Sequence, residues 1–183
     1  MSNQTSLTFV TGNPAKAEFI SRNLGMPVAH QSVDVPEIQS LDVKEVILEK
    51  ARAAYKIIGS PVLVDDAALH FTALGRLPGP LTKWFEVELS LEKMCRLLDP
   101  FDDRSASIEV AYGLFDGSQE YFFHAVASGQ IADHPRGEQG FGFDPIFIHE
   151  GLEKTRGELS QEEQTRLSPR YTALQHVRTH LKA

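Results

Sequence analysis

Val62, Leu63 and Val64, followed at once by Asp65 and Asp66, constrain this chain more than any other stretch. Three consecutive apolar residues, two of them β-branched, predict a short strand buried on both faces. Two adjacent carboxylates then stand at its carboxyl end, where open α/β sheets form ligand crevices. Neighbouring acids raise each other's cost of ionisation unless they share a cation, and a divalent metal is the simplest such partner. Aspartate is also a common turn opener. On these residues alone, metal ligand and turn both stand.

The 183 residues suffice for one substantial core and are few for two ordinary domains, so a single domain over 1–183 is expected. Apolar residues make up 42% and charged residues 23%, the range of globular rather than disordered chains. No stretch approaches the length of a membrane span, and Met1 to Val10 lacks the basic start of a secretory signal. The single cysteine, Cys95, excludes an internal disulfide framework and a cysteine-rich zinc site, and fits the cytoplasm. A net charge of −7 argues against a protein that coats nucleic acid. It leaves room for a small anion held by local lysines, a helix N-terminus or a metal.

Read in order, Leu7–Val10 is a strand and Thr11, Gly12, Asn13 and Pro14 lead into a helix to about Leu24, with Asn13 as cap, Pro14 at the first position and Gly25 as stop. Such a start offers a nest of backbone N–H groups, and Lys16 adds a positive charge where helices prefer acids. The combination fits a phosphate site, although the glycine spacing is that of neither a Walker loop nor a dinucleotide fingerprint. Val33–Glu37 reads as an extended piece that Pro36 confines to an edge or loop. Asp42 and Glu45 suggest a capping box opening a long helix with Val43, Val46, Ile47, Ala51, Ala54, Tyr55 and Ile58 inward, and Lys50 near that face. Leu74–Pro80 is a rigid loop. Two short helices follow, with Lys83 and Trp84 at the start, Trp84 expected in the core and Ser90 capping the second.

Residues 105–115 and 120–129 alternate as strands joined at Asp116 and Gly117, the strongest hairpin signal in the chain. After Pro135, Arg136, Gly137 and Gly140 comes Phe141, Gly142, Phe143, Asp144 and Pro145, then a short strand, Ile146–Ile148. Two aromatics around a glycine, followed by an acid, suit stacking on a flat ring and reading its edge; a hydrophobic bulge would explain the aromatics but not Asp144. Ser160 and Glu163 form a second capping box, and Ser168, Pro169 and Arg170 open a final helix.

In these motifs, taken in order over nearly the whole chain, the sequence resembles the inosine triphosphate pyrophosphatase family, the Ham1-like house-cleaning enzymes for noncanonical purine nucleotides. The resemblance implies an elongated two-lobed α/β fold, a mixed sheet flanked by helices around a central cleft. It implies Mg2+-dependent hydrolysis, with Mn2+ as a substitute, of a nucleoside triphosphate to the monophosphate and pyrophosphate by a homodimer. Carried over by position, Glu37 and Asp65 hold the metal together with Asp66, which orients or deprotonates the attacking water; which adjacent aspartate is the base stays open. Thr11, Gly12, Asn13, Lys16, Lys50 and Lys83 hold the phosphates. Phe141, Gly142, Phe143, Asp144, Gln164, Ser168 and Arg170 line the base pocket.

The chain departs from the family pattern where Ser, His, Arg reads Ser168, Pro169, Arg170, and where the family lysine four residues before the serine is Gln164. Two contacts to the ring edge are altered together, which points to a relaxed or shifted base preference. Two other readings accompany the enzyme: a catalytically weak homologue that senses or sequesters a nucleotide, and an interaction module on the same fold.

Overall fold

The computed structural model describes residues 7–182. Its strands are β1 (Thr8–Val10), β2 (Ala29–Gln31), β3 (Val62–Phe71), β4 (Pro78–Gly79), β5 (Ser105–Phe115), β6 (Glu120–Ile131) and β7 (Phe147–His149). Its α-helices are α1 (Pro14–Asn23), α2 (Val43–Ile58), α3 (Thr82–Glu88), α4 (Leu91–Arg96), α5 (Gln161–Arg166) and α6 (Pro169–Lys182). The strand order is β2-β1-β3-β5-β6-β7, with β4 pairing β3. Parallel and antiparallel pairs both occur, so this is an α/β mixed sheet with flanking helices.

The chain divides into two compact units. The first takes the residues up to Asp66, Val110–Ala125 and Arg170 onward. Here β1 lies parallel to β2, Thr8 opposite Ala29, and parallel to β3, Thr8 opposite Val62. Val62, Leu63 and Val64 are wholly buried, as their composition demands. Helix α2 turns Val46, Ile47, Ala51 and Ala54 inward, and α6 contributes Ala173, Leu174 and Val177. Asn13 caps α1 through its side-chain oxygen, and Gly25 follows the helix at φ 80°.

The second unit takes Ala67–Glu109 and Val126–Pro169. In it the end of β3 pairs antiparallel with β4, Leu69 opposite Gly79, and β6 with β7, Ile131 opposite Phe147. Leu69, Phe71, Met94, Leu98, Ile146 and Phe147 fill its core.

Several sequence expectations change. The strand begun at Val62 does not stop at the aspartates but runs on to Phe71, beside β5 and with Leu69 and His70 paired to Gly79 and Pro78 of β4. The extended piece expected at Val33–Glu37 carries no strand; the pairing falls to Ala29–Gln31. Asp42 caps α2, yet Glu45 closes no capping box, since its carboxylate accepts from the Ser40 hydroxyl at 2.6 Å and the Asp42 N–H goes to Ser40 Oγ. Trp84 is 61% exposed rather than core. The hairpin at Asp116 and Gly117 and the capping box of Ser160 and Glu163 form as read.

Candidate functional site

In the first unit the charged centre is built on β3. Side chains on a strand alternate between faces, so Asp65 and Asp66 leave the backbone in opposite directions. Asp65 is 2% exposed, and its Oδ2 takes both the Lys16 ammonium, at 3.1 Å, and the Arg170 guanidinium. Lys16 comes from the first turn of α1 and Arg170 from the first turn of α6, 105 residues away in sequence from the acid it holds. Burial alone would raise the Asp65 pKa, but Lys16, Arg170 and Lys50 together hold it far below the usual carboxylate range. Asp65 is therefore ionised at all ordinary pH.

Lys50, on α2, organises a second cluster. Its ammonium donates to Glu37 Oε1 at 2.6 Å and to the Asp65 carbonyl at 3.3 Å. Burial works to lower its pKa, yet the charge of Asp66, followed by Glu37 and Asp65, raises it above the usual value. Glu37 and Asp66 thus share Lys50, whereas the Asp65 carboxylate belongs to Lys16 and Arg170. Among the described residues, no three of His, Cys, Asp or Glu stand close enough to hold a metal ion as they are. The three acids expected to converge are split by the pleat into one and two.

The phosphate-loop residues are placed together, but with fewer open donors than expected. Asn13 Oδ1 accepts from the N–H groups of Ala15 and Lys16, and the Asn13 N–H donates to Thr11 Oγ1. Three backbone donors of the turn are thereby committed internally. The loop is held rigid, and Lys16 is its cationic arm. The Thr11 carbonyl is further tied to His30 Nε2 at 2.9 Å.

The second unit holds the aromatic segment. Phe141 is 60% exposed, a large ring left in solvent at the head of the turn. Asp144, by contrast, is buried: Oδ1 accepts from Arg156 Nε at 2.7 Å and Oδ2 from the Phe141 N–H at 3.0 Å. Gly140, at φ 83°, brings the backbone so close that a β-carbon there would lie 2.1 Å from Asp144 Oδ2. Gln164 donates to the Arg156 carbonyl at 2.6 Å. Lys83 is exposed, its ammonium 5.9 Å from the Trp84 ring centroid. Ser168 is half-buried and Pro169 opens α6. Arg170, expected with these residues, pairs with Asp65 in the first unit. A separate cavity of about 460 Å3 in the second unit, lined by Ser105, Ser107, Ser128, Gln130 and His149 among others, involves none of the residues read as a site.

Sequence reading missed Tyr112 and Arg156. Tyr112 is fully buried beside Arg170 and Asp65, and burial pushes its phenol well above the usual range. Nothing local in a strand marks it. Arg156 lies between Thr155 and Glu158, whose spacing is that of a capping box and does close one; that signal was in the sequence. Cys95 is buried, its thiol pushed up to about 11 mainly by burial, and it remains without a role.

Fold and site together define a mixed-sheet α/β protein whose central strand carries an acid clasped by cations, beside a two-carboxylate, one-lysine cluster. The Ham1 family model matches residues 7–180, and the chain belongs to that family. It is 40% identical to inosine triphosphate pyrophosphatase 2 of Trypanosoma cruzi, over 98% of this chain and 93% of that one. It is 36% identical to inosine triphosphate pyrophosphatase of Schizosaccharomyces pombe, over 97% and 96%. Among solved structures, the Ham1 protein of Staphylococcus aureus superposes with a TM-score of 0.85 at 27% identity, over 97% and 98%. A nucleoside-triphosphatase, dITP/XTP pyrophosphatase, of Mycobacterium abscessus superposes with a TM-score of 0.78 at 29% identity, over 94% and 98%. No helix among the described residues is long and apolar enough to cross a membrane.

Proposed function

We propose that this chain is a nucleoside triphosphate pyrophosphatase that removes noncanonical purine nucleotides, cleaving the triphosphate between its α and β phosphorus atoms to give the monophosphate and pyrophosphate. The single observation that carries the reading is the pair of clusters on β3, Lys16 and Arg170 on Asp65 and Lys50 between Glu37 and Asp66. They supply cations for a polyphosphate and carboxylates for water and metal within one unit.

Such a hydrolysis needs little covalent chemistry and much charge placement. Lys16 and Lys50 are ammonium groups that exchange an intramolecular carboxylate for a phosphate oxygen; Lys83, in the second unit, is a further exposed ammonium. The rigid Thr11–Gly12–Asn13 turn fixes where Lys16 stands. Asp65 stays ionised and keeps Arg170 in place when Lys16 turns to the phosphate. Asp66, on the other face, orients the attacking water and receives its proton. The oxygen donors of Glu37 and Asp66 suit a hard cation such as Mg2+, or Mn2+, which binds through one or two carboxylates and the phosphates. Held by Glu37 and Asp66, such an ion would offset negative charge on the polyphosphate. Phe141 and Phe143 offer a ring face, with Gly142, Asp144, Gln164 and Ser168 at its edge. The residues 1–183 act as one domain, as a homodimer in the cytoplasm. Pro169 and Gln164 shift the base preference.

The test is pyrophosphate release from a panel of keto-purine, amino-purine and pyrimidine triphosphates in Mg2+, with Asp66→Asn alongside. Release by the unaltered chain, lost in the variant with nucleotide binding retained, supports the reading. Saturable binding with no release from any substrate makes the chain a sensor instead.

A further inference from the structure

The buried Arg156 has no part in that reading, yet it bonds two of the residues assigned to the base edge, one through its guanidinium and one through its backbone carbonyl. Its Nε donates to Asp144 Oδ1 at 2.7 Å, and its own carbonyl accepts the Gln164 side-chain amide at 2.6 Å. Arg156 is held by its surroundings. Its Nη1 meets His149 Nε2 at 2.9 Å, and burial, reinforced by the guanidinium charge, lowers the His149 pKa to about 4, so the ring is neutral and accepts. Thr155 Oγ1 ties the preceding residue to the Arg136 carbonyl at 2.7 Å. A β-carbon at Gly137 would fall 2.0 Å from the Gly157 carbonyl carbon, so the two loops meet backbone to backbone.

An ionised aspartate with no cation beside it would favour any base edge presenting an N–H and repel one presenting a lone pair. With Arg156 bonded to one oxygen and the Phe141 N–H to the other, Asp144 brings no net charge to that edge. Gln164, held by a peptide carbonyl rather than by a side chain, is neutral as well.

We propose that Arg156 is a positioning residue for base recognition: by pairing with Asp144 and fixing Gln164 through its carbonyl, it makes the base edge meet neutral hydrogen-bonding groups instead of a charge. This deepens the proposed function and rests on its placement of the base beside Phe141.

The experiment compares the binding of inosine and adenosine monophosphates, by calorimetric titration of the full chain, with Arg156→Met, Asp144→Asn and the double variant. Hypoxanthine presents an N1–H donor where adenine presents a lone pair. Arg156→Met leaves the carboxylate unneutralised and shifts the affinity ratio toward inosine monophosphate by at least about fivefold. Asp144→Asn leaves the cation and shifts it the other way. The double variant, again without net charge, returns within about twofold of the unaltered chain. Should Arg156→Met not fold, as judged by circular dichroism, the other two carry the comparison. Ratios within about twofold in every folded variant, an equal loss of both nucleotides, or no saturable binding of either overturns the inference. Failure of the pyrophosphatase reading is a separate result: no pyrophosphate from any triphosphate with the unaltered chain.

Discussion

The ammonium of Lys16 stands 3.1 Å from Asp65 Oδ2, joining the first helical turn to the middle of β3. Because Arg170 reaches the same oxygen and all three groups are largely buried, the acid cannot be lost without stranding two cations. Replacing one partner of a buried ion pair is destabilising by about 3–5 kcal/mol. Asp65→Asn should lower the thermal midpoint accordingly, by roughly 2–4 °C per kcal/mol for a chain of this size. The sign with pH follows from linkage. The folded pKa of Asp65 lies below its unfolded value, so its contribution is complete above about pH 4 and is lost only as pH falls below that. Melting curves should show a constant gap between the two proteins from pH 5 to 8 that narrows under strong acid.

Lys50 is the cation shared by Glu37 and Asp66. On the proposed function, Lys50→Met removes a donor for developing phosphate charge and takes from Glu37 and Asp66 the cation they share. Steady-state kinetics should show kcat reduced by about 100-fold or more. A kcat unchanged within about twofold would remove Lys50 from the reaction.

His149 gives a second pH signature, at milder acidity. Its pKa is about 4 in the folded chain, lowered by burial first and Arg156 second, against about 6.5 unfolded. The unfolded chain therefore binds the extra proton first, and stability falls as pH drops from about 6.5 toward 4. His149→Gln, which keeps an acceptor for Arg156, should flatten that part of the stability profile. Urea midpoints measured at half-unit pH intervals check it.

What the sequence made legible divides along physical lines. Local rules carried well: Asn13 and Pro14 open α1, Ser160 and Glu163 close a capping box, and Asp116 and Gly117 turn the hairpin, because each depends on neighbours within a few residues. The strand of Asp65 was visible, but not its length, since the partners of its second half, β5 and the Pro78–Gly79 strand, come from later in the chain. The split of the two aspartates follows from that length, for alternation separates them only if both lie inside a strand. The partnership of Asp65 with Arg170 spans 105 residues and leaves no local trace. Arg156 was overlooked because an arginine in a polar loop reads as solvated, and only its burial to 9% exposure shows otherwise.

Gln164 and Pro169 stand where the family pattern has lysine and histidine. Gln164 is tied to the Arg156 carbonyl, and Pro169 lacks a backbone donor. Restoring both, with Gln164→Lys and Pro169→His together, should raise the kcat/KM of inosine over adenosine triphosphate by about tenfold. An unchanged ratio would place the base preference elsewhere.

In the proposed reaction water attacks the α-phosphorus. Hydrolysis of inosine triphosphate by the unaltered chain in Mg2+ and 18O-enriched water, followed by mass spectrometry of the products, tests it directly. Attack at that atom places one 18O in inosine monophosphate and none in the pyrophosphate. Label in pyrophosphate, or release of orthophosphate and the diphosphate, would contradict it.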